Sequence, residues 1–453
     1  MNLPNYFLAD LPPETVLAPK MIREACQTLK RNREQYLARR STESLIEVLS
    51  CLAEKWLRPD DPFRHWALEH GPAVTGFAPP TLARGLDSFF IQLTPENLHA
   101  LLVQDLDHAQ RLDGVTATSS EQRRRVAASA NGPELLVHIT AGYIPNPALL
   151  SIVLGVLLRS AHFVKCASGT ALLPRLFLHS LYEREPKLGA CLEIAEWPGG
   201  SVALEDVLFS EAACVTATGR DETLAEIRSR VPSNARFLGY GHRLSFGYIA
   251  REAWLCFSKQ QVISNAATDV IAWNQLGCLS PHVFYVEHGG LVSAEEFAEL
   301  LAEELRQREE REPRGSISIE AAATIAARRE FYDIRAAHSG ETRSWKSADS
   351  TAWTVVYEAE AQFQRSCLNR FIYVKGVTNL TSALHAADVI RGKVSTVGLA
   401  APDAKAEALA NELARWGVAR VCPLGQMQRP PLTWRHDGRP SLGDLVTWTE
   451  WEQ

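Results

Sequence analysis

The sequence predicts an α/β protein: a doubly wound parallel sheet followed by a second α/β unit. Three observations carry that expectation. From residue 134 onward short apolar runs alternate with helix-like stretches. The connections between them are short and rich in Gly and Pro. The runs themselves are continuous, as strands buried within a layered domain are.

Residues 14–57 read as helical, with Leu45, Val48, Leu49 and Leu52 at three- and four-residue spacing. Pro59-Asp60-Asp61-Pro62 and Pro79-Pro80 interrupt the chain, and residues 81–112 are helical again. Residues 116–131, with Arg123-Arg124-Arg125, read either as an exposed connector or as an edge strand of an oligomerisation element. The alternation then begins. Leu135-Leu136-Val137-His138-Ile139 is a strand, Gly142 to Pro147 a turn and Ala148 to Arg159 a helix. Ala161 to Lys165 is the next strand, Leu172 to Glu183 a helix and Ala212 to Ala217 a strand. Gly219 opens a helix over Asp221 to Arg230, and Ala235 to Gly239 completes the sheet. Ligands of such sheets bind at the carboxyl ends of the strands, so the turns at Gly142, Ser168-Gly169, Pro198-Gly199-Gly200 and Thr218-Gly219 lie on the binding edge.

A second unit starts after Trp254. Val262 to Gln275 is helical, His282 to Val286 a strand and Ser293 to Glu310 an amphipathic helix. Residues 311–345 are charge-rich with helical periodicity and read as a solvated face. Phe371 to Val374 and Arg420 to Cys422 are further strands. The tail, with Trp434, Trp448 and Trp451, is extended and suits packing on another domain or subunit. The resulting partition is 1–115 with 134–253, then 254–428, with 116–133 and 429–453 set apart as a flap and tail.

Composition narrows the function. The 453 residues suffice for two or three domains with full cores. With 47 basic against 53 acidic side chains and a net charge of −6, bulk electrostatics does not favour nucleic acid. Nine scattered cysteines, with no CxxC pair, support neither a disulfide framework nor a metal site. Residues 1–6 lack a basic and then apolar leader, and the apolar stretch Leu149 to Leu158 is too short to cross a bilayer. The expected location is the cytoplasm, where thiols stay reduced.

That matters for Cys278, within Asn274-Gln275-Leu276-Gly277-Cys278-Leu279-Ser280-Pro281-His282. A Gly before it and a Ser and Pro after it place the thiol in a turn. It is either a nucleophile or, as free cysteines more commonly are, a small packed hydrophobe. The sheet carries neither GxGxxG nor GxxxxGK[ST], so any dinucleotide would rest on looser strand-end turns and helix N-termini. Lys165 at a strand end is either a surface lysine or a partner for a ribose or phosphate oxygen.

Several segments together resemble one family. They are Phe163-Val164-Lys165-Cys166-Ala167-Ser168-Gly169, Trp197-Pro198-Gly199-Gly200, Phe237 to Phe246, Gln275 to His282, Cys422-Pro423-Leu424-Gly425-Gln426-Met427-Gln428-Arg429-Pro430-Pro431 and Trp434-Arg435-His436-Asp437-Gly438. In that order, over roughly residues 70–450, they look like the LuxC-type acyl-CoA reductases. These are the fatty-acid reductases of bacterial bioluminescence and their non-luminous relatives, within the aldehyde dehydrogenase superfamily.

The resemblance implies an aldehyde dehydrogenase-like fold: a Rossmann-like cofactor domain, a catalytic α/β domain with the thiol and a small β oligomerisation flap. It implies NADPH as hydride donor and an acyl thioester as substrate, carried on CoA or a carrier protein. The flap and aromatic tail imply a homo-oligomer, and whether the acyl group arrives on CoA, on a carrier protein or from a partner acyltransferase or synthetase stays open. Cys278 matches the nucleophile, and Lys165 the lysine at the adenosine ribose. Ser168, with Gly169, stands where NAD-preferring relatives carry Glu; a small neutral residue there favours NADP. Gly219 matches the glycine opening the pyrophosphate-facing helix, with Arg220 adding charge, and Pro198-Gly199 shapes the nicotinamide or adenine edge.

Two departures stand out. The Glu base of oxidising aldehyde dehydrogenases falls near Gly239-Tyr240-Gly241-His242, where this chain has no carboxylate. The oxyanion Asn falls at Ala141-Gly142-Tyr143, leaving Tyr143 or Asn146 as replacement donors. His242 and His282 are structural or assist proton transfer. Competing expectations are an aldehyde dehydrogenase running in the oxidative or CoA-acylating direction, and a scaffold subunit that retains only the fold.

Overall fold

The computed structural model describes residues 3–142 and 144–453. It has fourteen strands among these residues: β1 (Val126–Asn131), β2 (Leu135–Ile139), β3 (Ala161–Cys166), β4 (Leu192–Glu196), β5 (Cys214–Thr218), β6 (Arg236–Tyr240), β7 (Leu244–Ile249), β8 (Pro281–Glu287), β9 (Thr342–Lys346), β10 (Thr354–Glu358), β11 (Phe371–Val377), β12 (Val394–Ala400), β13 (Arg420–Pro423) and β14 (Thr447–Glu452). They divide between two compact units. The first comprises residues 3–75, 86–241 and 431–453, the second residues 76–85 and 242–430.

The first unit is built on a five-stranded sheet in the order β4-β3-β2-β5-β6, with every pair parallel. The chain fills one side outward from β2, then returns to β5 beside β2 and continues to β6. The carboxyl ends of β2 and β5 therefore flank the point where strand order reverses, the place where such sheets leave a crevice. Helices Asn146–Leu157, Leu172–Arg184, Val202–Glu211 and Asp221–Arg230 make the crossovers. The N-terminal helix Pro19–Tyr36 seals one face, where Ile22, Cys26 and Leu29 meet Leu135, Val137, Phe163 and Val215. Ser41 and Thr94 cap the helices Thr42–Trp56 and Pro95–Leu106 by accepting backbone N–H groups.

β4 carries two carboxylates, so its sequence does not read as an apolar run. Its Glu193 is nonetheless half-buried, accepting the N–H groups of Leu8 (2.8 Å) and Ile194 (2.9 Å). Burial pushes this carboxyl up to about 8. β14 pairs antiparallel with β1, setting Trp448 opposite Ala130 and Trp451 opposite Ala127. Residues 126–131 are thus a strand rather than a connector, and their partner is the tail.

The second unit holds a seven-stranded sheet, β13-β12-β7-β8-β11-β10-β9, parallel except for β9. Its two faces are both buried. Val283 and Tyr285 of β8, with Phe371 and Tyr373 of β11, enter one core. Phe284, Val286, Ile372 and Val374 enter the other. This period of two inside an unbroken apolar run is what burial on both faces produces.

Two segments fall differently from the sequence-based partition. Residues 242–253 were expected with the first sheet, but β7 pairs with β12 and β8 of the second. Residues 76–85 also join the second unit, where Phe77 bridges Gly315 and packs on Trp273. Both placements rest on partners far away in the chain, which local periodicity does not encode.

Beneath the crevice of the first unit, three polar side chains form a buried line. His138 Nδ1 meets Thr216 Oγ1 at 2.7 Å and His138 Nε2 meets His162 Nδ1 at 3.2 Å. Gly155 is required here, because a Cβ would lie 1.9 Å from the His162 ring. Burial holds His138 well below the usual histidine range and lowers His162 to about 4. The unfolded chain therefore binds protons that the folded chain refuses once pH falls below 6.5. Stability drops through that window, with His162, lowered to about 4, alone accounting for about 2 kcal/mol at pH 5. Urea midpoints measured from pH 7 to pH 5 are expected to fall accordingly; midpoints that hold steady would contradict the buried neutral pair.

Candidate functional site

Cys278 lies in the second unit, just before β8. The helix Lys259–Ile271 ends, and Trp273, Asn274 and Gln275 then take left-handed φ values of 49°, 51° and 62°. Each such non-glycine residue costs about 1–2 kcal/mol, so the surroundings must hold the turn in place. Asn274 donates to Arg314 O (2.8 Å) and accepts from Arg370 Nε (3.0 Å). Gln275 donates to Pro281 O (2.7 Å). Trp273 packs against Phe77 and over Gly85, where a Cβ would fall 2.0 Å from the indole.

The turn that follows is pinned as firmly. Ser280 N–H donates to Gly277 O (3.0 Å), and Ser245 Oγ donates to Cys278 O (2.7 Å). Gln428 donates its side-chain amide to Ser280 Oγ. Gln428 comes from the 422–431 tail motif, whose loop is itself clamped. Buried Asp269 accepts the N–H groups of Gly425 (2.6 Å) and Met427 (2.9 Å), and Arg420 donates to Met427 O (2.7 Å). Gly425 has φ +89°, and its missing Cβ makes room for Asn265 at 2.9 Å. The tail motif is thus the scaffold of the Cys278 turn.

The thiol environments differ sharply. Burial pushes Cys26, Cys191 and Cys422 up to about 12 and Cys166 and Cys214 to about 11, far from any thiolate. Cys278 is only half-buried. His282, at the second position of β8, is buried; its Nδ1 accepts the Ser366 N–H (3.1 Å), and burial lowers it to about 4. It is a neutral ring holding the Ser366 loop. His242 is exposed.

The other expected residues gather on the carboxyl edge of the five-stranded sheet in the first unit. A small cleft lies there, lined by Thr140, Gly142, Gly169, Thr170, Thr216 and Thr218 among others. Lys165, on β3, has its stem buried and its ammonium 5.7 Å from the centre of the Trp197 ring. Burial lowers its pKa, offset by the fields of Glu205 and Glu196. Among the described residues its ammonium has no hydrogen-bond or ion-pair partner. Ser168 and Gly169 form an exposed turn with Gly169 at φ +78°. Pro198 and Gly199 are exposed in the turn after β4, where Ser201 Oγ donates to Pro198 O (2.9 Å). Gly219 donates to Tyr240 O (3.2 Å), and exposed Arg220 immediately precedes the helix Asp221–Arg230. Asn146 is the first residue of the helix Asn146–Leu157. Tyr143 lies outside the described residues.

Sequence reasoning missed Ser245, Gln428, Asp269 and Arg370 around Cys278, and Glu196 at the end of β4. Gln428 lay within a motif already singled out. So did Ser245, in the Phe237 to Phe246 segment; Asp269, Arg370 and Glu196 had no local signal, because each acts through a neighbour that only the fold supplies.

The family model for the acyl-CoA reductases (LuxC) matches residues 37–448. Among relatives, long-chain acyl-protein thioester reductase 2 of Photobacterium leiognathi is 22% identical over 323 residues, covering 70% of this chain and 64% of that protein. The long-chain acyl-protein thioester reductase of Aliivibrio fischeri is 22% identical over 325 residues, with the same coverage. This chain therefore spans less than two thirds of the length of these relatives. Among solved structures, a bifunctional proline utilization A (PutA) protein superposes with a TM-score of 0.73 at 16% identity, covering 97% of this chain and 45% of that one. The NADP-dependent glyceraldehyde-3-phosphate dehydrogenase from Bacillus halodurans C-125, complexed with NADP, gives 0.70 at 12% identity, covering 96% and 92%. These likenesses, with two parallel sheets and a pinned thiol turn before β8, agree: the fold is aldehyde dehydrogenase-like, and the chain belongs to the acyl-CoA reductase (LuxC) family.

Proposed function

We propose that this protein reduces an acyl thioester, most simply a long-chain one on CoA or a carrier protein, to the aldehyde through an acyl group on Cys278. The observation that carries the reading is the Cys278 turn: a half-buried thiol residue whose backbone is fixed by Ser245, Ser280 and Gln428 on a strained turn. Such rigidity is what a nucleophile needs and what a packed cysteine does not.

Deprotonated Cys278 attacks the thioester carbonyl carbon. A new C–S bond forms, the bond to the carrier sulfur breaks, and that sulfur takes up a proton as it leaves. One thioester replaces another, so the step is nearly balanced. A nicotinamide dinucleotide, when bound, supplies hydride. Lys165 and the turns at Ser168-Gly169, Pro198-Gly199 and Gly219-Arg220 would hold it, and a Lys165 ammonium with only the Trp197 ring beside it and no hydrogen-bond or ion-pair partner among the described residues fits an anionic, hydroxyl-bearing ligand. NADPH is the donor that Ser168 favours. Once the acyl carbon is reduced, the C–S bond to Cys278 breaks, the aldehyde departs and the thiol is restored. The absence of a carboxylate at residues 239–242 slows hydrolysis of the acyl-Cys278 intermediate, as a reductase requires. The oxyanion is assigned to the Cys278 N–H.

Intact-mass spectrometry tests this directly. Incubation with a long-chain acyl-CoA is expected to add one acyl group, absent in Cys278→Ala and discharged by NADPH as aldehyde. No adduct from several acyl-CoA and carrier-bound donors would overturn the proposal.

A further inference from the structure

We infer that Glu196 is the residue that decides between NADPH and NADH. The inference rests on the reading of the five-stranded sheet as the dinucleotide site and deepens it.

Ser168 alone leaves the adenosine-side turn without an acid, which is why it favours a 2′-phosphate. The fold restores an acid from the neighbouring strand. Glu196 ends β4 and is paired in register with Cys166 at the end of β3. From there its two carboxylate oxygens reach the turn after β3: Oε1 accepts the Gly169 N–H and Oε2 the Ala171 N–H (3.2 Å). These N–H groups lie immediately before the helix Leu172–Arg184, at its positive end. They are the backbone donors that a phosphate beside Ser168 would use. Glu196 already holds them as an internal anion.

Two consequences follow. A 2′-phosphate must displace Glu196 from both donors and then tolerate its charge close by, so NADPH loses much of the advantage that Ser168 offers. The ribose diol of NADH needs no such displacement. Each carboxylate oxygen has accepted one N–H and retains acceptor capacity for a hydroxyl. Lys165, close enough for Glu196 to act on its titration, flanks the same turn. Glu196 therefore does from β4 what a Glu at position 168 does in NAD-preferring relatives, and the protein accepts NADH at least comparably to NADPH.

The test is equilibrium binding of NADPH and NADH, followed by nicotinamide fluorescence without acyl substrate, for the full chain and for Glu196→Gln and Glu196→Ser. Glu196→Gln keeps an acceptor for the turn but removes the charge; circular dichroism and urea midpoints confirm that each variant is folded. The ratio of the NADH to the NADPH dissociation constant is expected to rise at least tenfold in both variants, with NADPH tightening and NADH weakening. A ratio within twofold of the parent in both folded variants overturns the inference while leaving the dinucleotide site intact. Failure of the parent protein to bind either dinucleotide overturns the inference and the site reading together.

Discussion

Cys278→Ala is expected to abolish aldehyde formation, with a loss of about 10⁴-fold or more, the scale seen when a covalent nucleophile is removed. The reason is chemical. Hydride transfer to an acyl group needs that group held in place, and Cys278 lies on a pinned turn. Burial keeps Cys26, Cys166, Cys191, Cys214 and Cys422 protonated at neutral pH. The change itself is small: the backbone at position 278 is held through its own carbonyl by Ser245 and through its neighbours by Gln428 and Ser280. The variant should therefore fold as the parent does and bind dinucleotide unchanged. Consumption of reduced nicotinamide with acyl-CoA, read beside dinucleotide affinity, separates the outcomes. Retention of more than about a tenth of the parent rate would remove Cys278 from the chemistry.

Arg370→Ala is expected to be the most damaging single change to the second unit, at about 3–5 kcal/mol of stability, the range for breaking a buried ion pair from one side. Arg370 is fully buried. Burial lowers its pKa to about 10, so it stays charged at neutral pH. It donates to Glu309 Oε2 (2.7 Å), Glu312 O (2.8 Å) and Asn274 Oδ1 (3.0 Å). It also ends a second run of left-handed residues, Leu368, Asn369 and Arg370, with φ of 60°, 52° and 66°. One side chain thus ties two strained turns together, and one of them leads to Cys278. Alanine meets the same backbone cost at this φ, so the loss reports the side chain. Urea unfolding gives the magnitude. The rate of Cys278 alkylation in the folded variant shows whether the thiol turn loosens with it. A stability loss below 1 kcal/mol would mean that the clasp is not what holds the turn.

Much of this was legible in the sequence, and for definite reasons. β2, β3 and β5 announce themselves because parallel strands buried on both faces are runs of apolar residues. Cys278 and the 422–431 segment are visible because each is written in contiguous residues. β4 was hidden because Glu193 and Glu196 break its apolar pattern, and each carboxylate finds backbone N–H donors only in the fold. β7 was not read as a strand, and its sheet depended on β8 and β12, distant in the chain.

The sequence by itself determined the layered α/β architecture, the family and the thiol, because periodicity and contiguous motifs are local properties of a chain. Only the tertiary structure decided how that thiol is held and which acid faces the turn after β3. Asn274 meets Arg370 across 96 residues, and Glu196 meets Gly169 across 27. Pairings of that kind are set by strand register and helix packing. A neutral Ser168 in the sequence thus becomes, in the folded protein, a turn that already carries a carboxylate.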